Sequence, residues 1–262
     1  MRPNLLRQKL DEGLPTVGTH VLIPWPGIVE IVGRTGSFDY VEFVGEYATW
    51  SLDLFDNLGR ALDLFPEMSS MMKVEEQSKG FIATRALDAG FQSVLFTDVR
   101  SADDARECVR LVRPETPEAG GTHGVGMRRI AGYGASGNAA AWVDAMNDVV
   151  VALMIEKTGA MEMLDEILAV PGIDMVQFGP ADYSITVGKP GDRAAVADVE
   201  KRMIEKALEA GVHPRIEVRS FGQAEPYLPL GVRHLCVGWD TIALAAWAKE
   251  QSDGARRLLE RD

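Results

Sequence analysis

The sequence predicts an α/β protein whose parallel strands close into a single (β/α)8 barrel of the TIM type. Three observations carry that prediction. Eight short apolar, β-rich runs recur along 262 residues, and helix-like segments separate them. The runs are nearly continuous in apolar character rather than alternating, as strands buried on both faces read. The length suits one barrel, and no linker or internal repeat divides the chain, so residues 1–262 are expected to form one domain.

The runs are Thr16 to Ile23, Phe38 to Val44, Ser70 to Val74, Ser93 to Phe96, Val149 to Ile155, Asp174 to Phe178, His213 to Val218 and His234 to Val237. Helical spacing is expected over Leu52 to Phe65, Gln77 to Ala89, Ala102 to Val112, Asn138 to Asp148, Thr158 to Val170, Ala194 to Ala210 and Ile242 to Glu260. Several end on a stop signal, such as Asp88-Ala89-Gly90, Val170-Pro171-Gly172 and Glu209-Ala210-Gly211. The least regular stretch, Arg113 to Gly137, is rich in Gly and Pro and is expected to lie across the barrel mouth.

Composition narrows the function. A formal net charge of -12 repels phosphate backbones, so no nucleic-acid partner is expected. No apolar run reaches the roughly 18 residues of a membrane span, and the amino-terminal residues lack a secretory pattern. With Cys108 and Cys236 far apart and outside any CxxC, a cytoplasmic protein with reduced thiols is expected.

The sharpest chemical signal is a pair of carboxylates. Glu156 ends the run VVVALMI, and Asp182 sits in Gly179-Pro180-Ala181-Asp182 just past DMVQF. Both fall at carboxyl ends of adjacent strands, the rim on which barrel active sites are built. Adjacent strands lie about 5 Å apart, so the two acids can share a hard cation, Mg²⁺ or Mn²⁺, with Co²⁺ also acceptable. The plainer alternative is two acids capping the helices that follow. Gly132 to Gly137 spells GxGxxG, but no strand feeds it, so a dinucleotide site is not expected.

The segment MIEKTGAMEMLDEILAVPGIDMVQFGPADYSITVGKPG resembles the metal-binding segment of the HpcH/HpaI aldolases, the class II pyruvate aldolases. FDYVEFVGEYA, RALDAGFQSVLFTDV, HGVGMRR and VGWDT agree with the same family, so the resemblance spans residues 15 to 245. It implies that Glu156 and Asp182 ligate a divalent metal that chelates a 2-oxo acid. It implies that the N–H groups of Ala181 and Asp182 hold the substrate carboxylate, and that the product pair is pyruvate or a related 2-oxo acid and an aldehyde. It also implies a homo-oligomer, a hexamer built from dimers, whose last helix, carrying Leu244, Trp247 and Leu258, packs on a neighbouring subunit.

The departures are specific. Where the family has Gly-Glu-His with a catalytic histidine, this chain has Gly45-Glu46-Tyr47. The acid that pairs with that histidine matches Asp88, and the keto-oxygen arginine matches Lys73, a point charge in place of a planar fork. The glutamine two residues before the metal Glu is Met154. Candidates for the missing base are therefore His20, His123 and a metal-bound water; Tyr47 is a candidate hydrogen-bond donor at the same place, Glu46 a candidate to bind the metal-bound water, and His123 also a candidate substrate contact. Alternatively, Tyr47 packs on Trp50 and Glu46 caps the helix near Ser51. Arg128 and Arg129 are candidates to clamp an acidic substrate group, and Trp25-Pro26-Gly27 to line the mouth.

The expected activity is metal-dependent retro-aldol cleavage of a 4-hydroxy-2-oxo acid. Alternatives are a citramalate- or acyl-CoA-type lyase, an oxaloacetate-like decarboxylase, or a non-catalytic 2-oxo acid-binding protein.

Overall fold

The computed structural model describes residues 2–135 and 138–260. Among them, eight strands pair in parallel, each with its sequence neighbours, and β8 closes on β1. The strands are β1 (Thr16–Val21), β2 (Tyr40–Val44), β3 (Ser69–Val74), β4 (Ser93–Phe96), β5 (Val150–Ile155), β6 (Met175–Phe178), β7 (His213–Val218) and β8 (His234–Trp239). Each falls within two residues of its predicted bounds.

The helices are α1 (Leu5–Asp11), α2 (Pro26–Gly33), α3 (Leu52–Leu62), α4 (Lys79–Ala89), α5 (Ala102–Val112), α6 (Ala139–Asn147), α7 (Thr158–Glu162), α8 (Leu164–Leu168), α9 (Pro180–Thr186), α10 (Ala197–Glu209) and α11 (Asp240–Leu259). Ser51, Ser101 and Asn138 cap α3, α5 and α6 by accepting from the backbone N–H three residues on. The predicted helix Thr158 to Val170 breaks at Met163 into α7 and α8. Helices α1, α2 and α9 are too short, or too near a proline, for a periodicity reading to find.

Two apolar layers follow from strand alternation. Val41, Phe43, Met72, Val94, Val151 and Val176 face outward into the helices. Tyr40, Met71, Leu95, Ala152, Met175 and Cys236 face inward. Helix α1 plugs the amino-terminal end of the barrel with Leu6 and Leu10, both buried in the inner layer. It is fastened there by Arg7, whose guanidinium donates to both oxygens of Asp174 at 2.6 Å. Gly18 makes room for the ring of Tyr40: a Cβ there would lie 2.2 Å from Cζ.

His234, at the foot of β8, bonds Thr16 Oγ1 at 3.0 Å and His213 at 3.2 Å. Burial, with His213 nearby, lowers its pKa to about 4. A histidine held neutral by the fold contributes full stability above its unfolded value near 6.5, and that stability is lost as pH falls through 4. Acid unfolding therefore steepens between pH 6.5 and 4, by about 3 kcal/mol at most. Denaturant titrations across that window should show a flatter pH dependence for His234→Asn.

The described part of the stretch from Arg113 to Gly137, residues 113–135, does not cross the mouth; Ser136 and Gly137 lie outside the described residues. It follows α5, and a segment that leaves a helix in this fold returns toward the amino-terminal ends of the strands. Arg113 donates to Met146 O and Val149 O there, just ahead of β5. No helix among the described residues is long and apolar enough to cross a membrane.

Candidate active site at the carboxyl ends of the strands

Glu156 follows the last residue of β5 and turns into the barrel, 4% exposed. Its Oε1 accepts the Asp98 N–H at 2.8 Å. Burial raises its pKa to about 7, against the opposing pull of the Asp98 N–H and the Lys73 charge. Asp182 lies in the first turn of α9, and its negative charge raises the pKa of Glu156 further. A buried carboxylate in this state is stabilised by gaining a proton or a cation. Gly179 makes the space: a Cβ there would sit 2.3 Å from Glu156 Oε2. These two hard oxygen donors suit Mg²⁺ or Mn²⁺. Gly179→Ala should weaken Mn²⁺ binding at least about tenfold, measured by calorimetry, while the fold is kept.

Sequence reasoning missed two neighbours of this pair. Lys157 Nζ lies 2.6 Å from Asp98 Oδ1 and 3.4 Å from Asp182 Oδ1. Asp98 carries φ of 58°, a left-handed conformation that is strained for a non-glycine residue and that turns its N–H onto Glu156. No motif or spacing marks Asp98; Lys157 stood beside Glu156 but carried no pattern of its own.

Across the mouth, Lys73 at the end of β3 is 5% exposed. Its Nζ lies 2.7 Å from Glu46 Oε2 and 4.9 Å from the Tyr47 ring centre. Burial acts to lower its pKa, but Glu46 and Tyr47 outweigh that and raise it, so the ammonium is permanent. Tyr47 stacks on Trp239 at 6.5 Å, not on Trp50, and is more than half exposed. Partial burial lifts its pKa to about 12, against the Lys73 charge. Trp50 instead donates to Gly45 O, and Ser51 rather than Glu46 caps α3.

The other candidates lie elsewhere. His20 points into the barrel, 1% exposed, with its ring stacked on Trp239 at 4.5 Å. Burial works to lower its pKa, but Cys236 and Glu42 raise it well above the ordinary value. An enclosed imidazolium has neither the access nor the free lone pair of a general base. Asp88 ends α4, beside the amino-terminal end of β4, and contacts Arg85 at 3.1 Å and His123 at 3.4 Å. Arg128 and Arg129 join that end of the molecule, at Asp88 and Asp63 respectively. The chain's own fold therefore brings Glu46, Tyr47, Lys73, Glu156 and Asp182 to one rim and leaves Asp88 and His123 at the other. Trp25 stands 58% exposed just ahead of α2.

The interior below the rim is charged, which the apolar reading of the strands did not anticipate. Arg215 donates to Glu42, to Gln177 Oε1 at 2.5 Å and to the Tyr40 hydroxyl at 2.7 Å, all fully or nearly fully buried. Glu217 accepts from Trp239 Nε1 at 2.9 Å and Gln177 Nε2 at 3.1 Å. Asp240, next in VGWDT, accepts the N–H groups of Leu22 and Ile23 and pins the β8–β1 seam.

Known proteins are similar to this chain in sequence and fold. A family model described as HpcH/HpaI aldolase/citrate lyase matches residues 54–228. Hydroxypyruvate/pyruvate aldolase of Paraburkholderia phytofirmans is 30% identical over 91% of this chain and 92% of its own length. The 4-hydroxy-2-oxo-heptane-1,7-dioate aldolase of Escherichia coli is 30% identical over 94% of this chain and 92% of its own. A solved HpcH/HpaI aldolase from Desulfitobacterium hafniense superposes with a TM-score of 0.86 at 28% identity, covering 99% of this chain and 98% of that one. By sequence and by fold, the chain belongs to the HpcH/HpaI aldolase/citrate lyase family.

Proposed function

We propose that this protein is a class II aldolase that cleaves a 4-hydroxy-2-oxo acid reversibly to pyruvate, or a related 2-oxo acid, and an aldehyde. The observation that carries the reading is the buried, proton-hungry carboxylate of Glu156, set beside Asp182 on the rim of a barrel of this family. Glu156 and Asp182 would hold Mg²⁺ or Mn²⁺, whose Lewis acidity lowers the energy of the enolate charge released on C–C cleavage.

The chain's own groups do the rest. The first-turn N–H groups of α9, at Ala181 and Asp182, have no partner within the helix and would hold the substrate carboxylate. The Lys73 ammonium supplies a fixed positive charge near the keto oxygen, and Glu46 holds that ammonium in place. Tyr47, protonated at neutral pH, relays the 4-hydroxyl proton toward Glu46 on cleavage and returns it to the aldehyde oxygen on addition. Tyr47→Phe is expected to lower kcat at least about tenfold with little change in KM. A twofold change or less would make the ring a packing element.

Helix α11 has no buried residue and exposes Ile242, Leu244, Trp247 and Leu258. Such a stripe fits packing on a second copy of the chain, within a homo-oligomer such as a hexamer built from dimers. The test of the function is steady-state cleavage, and addition of pyruvate to a panel of aldehydes, before and after chelation. Turnover that returns only with Mg²⁺ or Mn²⁺ supports it. Tight 2-oxo acid binding without turnover under any metal would replace it with a metabolite-binding role.

A further inference from the structure

A second group of donors sits inside the barrel, on β1, β2 and β8, apart from the rim acids on β5 and α9. His20 Nε2 lies 3.3 Å from Glu42 Oε1 and 3.5 Å from Cys236 Sγ. The ligand atoms of these three buried residues all fall within 4.8 Å of one another. Glu217 Oε2 approaches the same ring nitrogen at 3.5 Å. Tetrahedral zinc, with bonds of about 2.0–2.3 Å to nitrogen, oxygen and sulfur, requires ligand-to-ligand separations of roughly 3.3–3.7 Å.

We propose that His20, Glu42 and Cys236 form a buried three-residue site, with an open fourth position, for a transition-metal dication such as Zn²⁺. Four observations point there. Glu42 Oε1 is fully buried and accepts no hydrogen bond; its counter-charge is the His20 ring at 3.3 Å, while Arg215 occupies Oε2. A buried carboxylate oxygen without a hydrogen bond is costly unless a cation meets it, and a dication in place of the ring proton meets it more fully. His20 Nδ1 lies 3.1 Å from Gly238 O, which keeps a proton on Nδ1, so Nε2 is the nitrogen that ligates once its own proton leaves. An outer group already orients the acid: Arg215 donates to Glu42 Oε2. Thiol, imidazole and carboxylate together select Zn²⁺ or Co²⁺ over Mg²⁺, whereas the rim pair offers oxygen only.

Charge and access agree. An entering dication that displaces one proton from the imidazolium and one from the thiol leaves the buried net charge unchanged. Glu217, 27% exposed on its side chain, borders the site as its partly open neighbour; His20 and Glu42 are sealed.

The proposal does not depend on the aldolase reading, and its test is spectroscopic. Full-length protein, stripped with a chelator, is titrated with Co²⁺ while the thiolate-to-cobalt charge-transfer band in the near ultraviolet is followed. One equivalent should develop the band in the wild type, in Glu156→Gln and in Cys108→Ser. Cys236→Ser should abolish it, and Glu42→Gln should weaken Co²⁺ binding at least about tenfold. Stoichiometric Zn²⁺ should bleach the band, and excess Mg²⁺ should not. Absence of the band in the wild type, or its survival in Cys236→Ser, would overturn the site. If Cys236→Ser fails to fold, Cys108→Ser still decides: the band must persist there, and its loss would equally overturn the site.

Discussion

Glu156→Gln is expected to lower metal-dependent turnover by at least about a hundredfold, the scale seen when one electrostatic stabiliser of a developing oxyanion is removed. The substitution keeps the shape of the side chain and its contact with the Asp98 N–H. It removes a carboxylate whose burial already pushes its pKa to about 7, so the metal-free protein should melt no lower than the wild type. Turnover with added Mn²⁺, Mn²⁺ affinity and Tm together separate a lost ligand from a lost fold. Undiminished turnover would remove Glu156 from the site.

Lys73→Met should be as damaging to activity but, unlike Glu156→Gln, should also cost stability. It strips the partner from Glu46, 2.7 Å away, and removes the cation that faces the Tyr47 ring. Breaking a buried pair on one side costs about 3 kcal/mol. Pairing it with Glu46→Gln should restore most of the stability and none of the activity, since the positive charge at the mouth stays absent. A double variant that recovered turnover would give Lys73 a purely structural role. Lys73→Arg should retain part of the activity, because the charge survives while the point-like ammonium does not.

The barrel itself was legible because its strands are uninterrupted apolar runs and its helices carry caps and glycine stops. Glu156 and Asp182 were legible for the same reason: each stands where an apolar run ends, which on this fold is the functional rim. The charged interior was not. Glu42 in YVEFV and Arg215 and Glu217 in HPRIEV alternate with apolar residues, and period-two alternation reads the same whether the polar face meets water or a barrel axis. Gln177 was hidden likewise in MVQF. Asp88 was assigned to the site through its match to a family pattern and His123 as a candidate replacement base, but Asp88 ends α4 and His123 follows α5, and the chain leaves every helix at the opposite end of the barrel. The exposed stripe of α11 was visible in sequence as Leu244, Trp247 and Leu258 at helical spacing.

The most direct measurement is hydrogen exchange at the methyl group of pyruvate in heavy water, without aldehyde, followed by proton NMR. It reports enolate formation apart from any aldehyde specificity. Deuterium should enter with Mg²⁺ or Mn²⁺ present, stop on chelation, and stay absent in Glu156→Gln and Asp182→Asn. Exchange that continues in the chelated enzyme, or in either variant at the wild-type rate, would contradict a divalent cation held by these two acids as the source of catalysis.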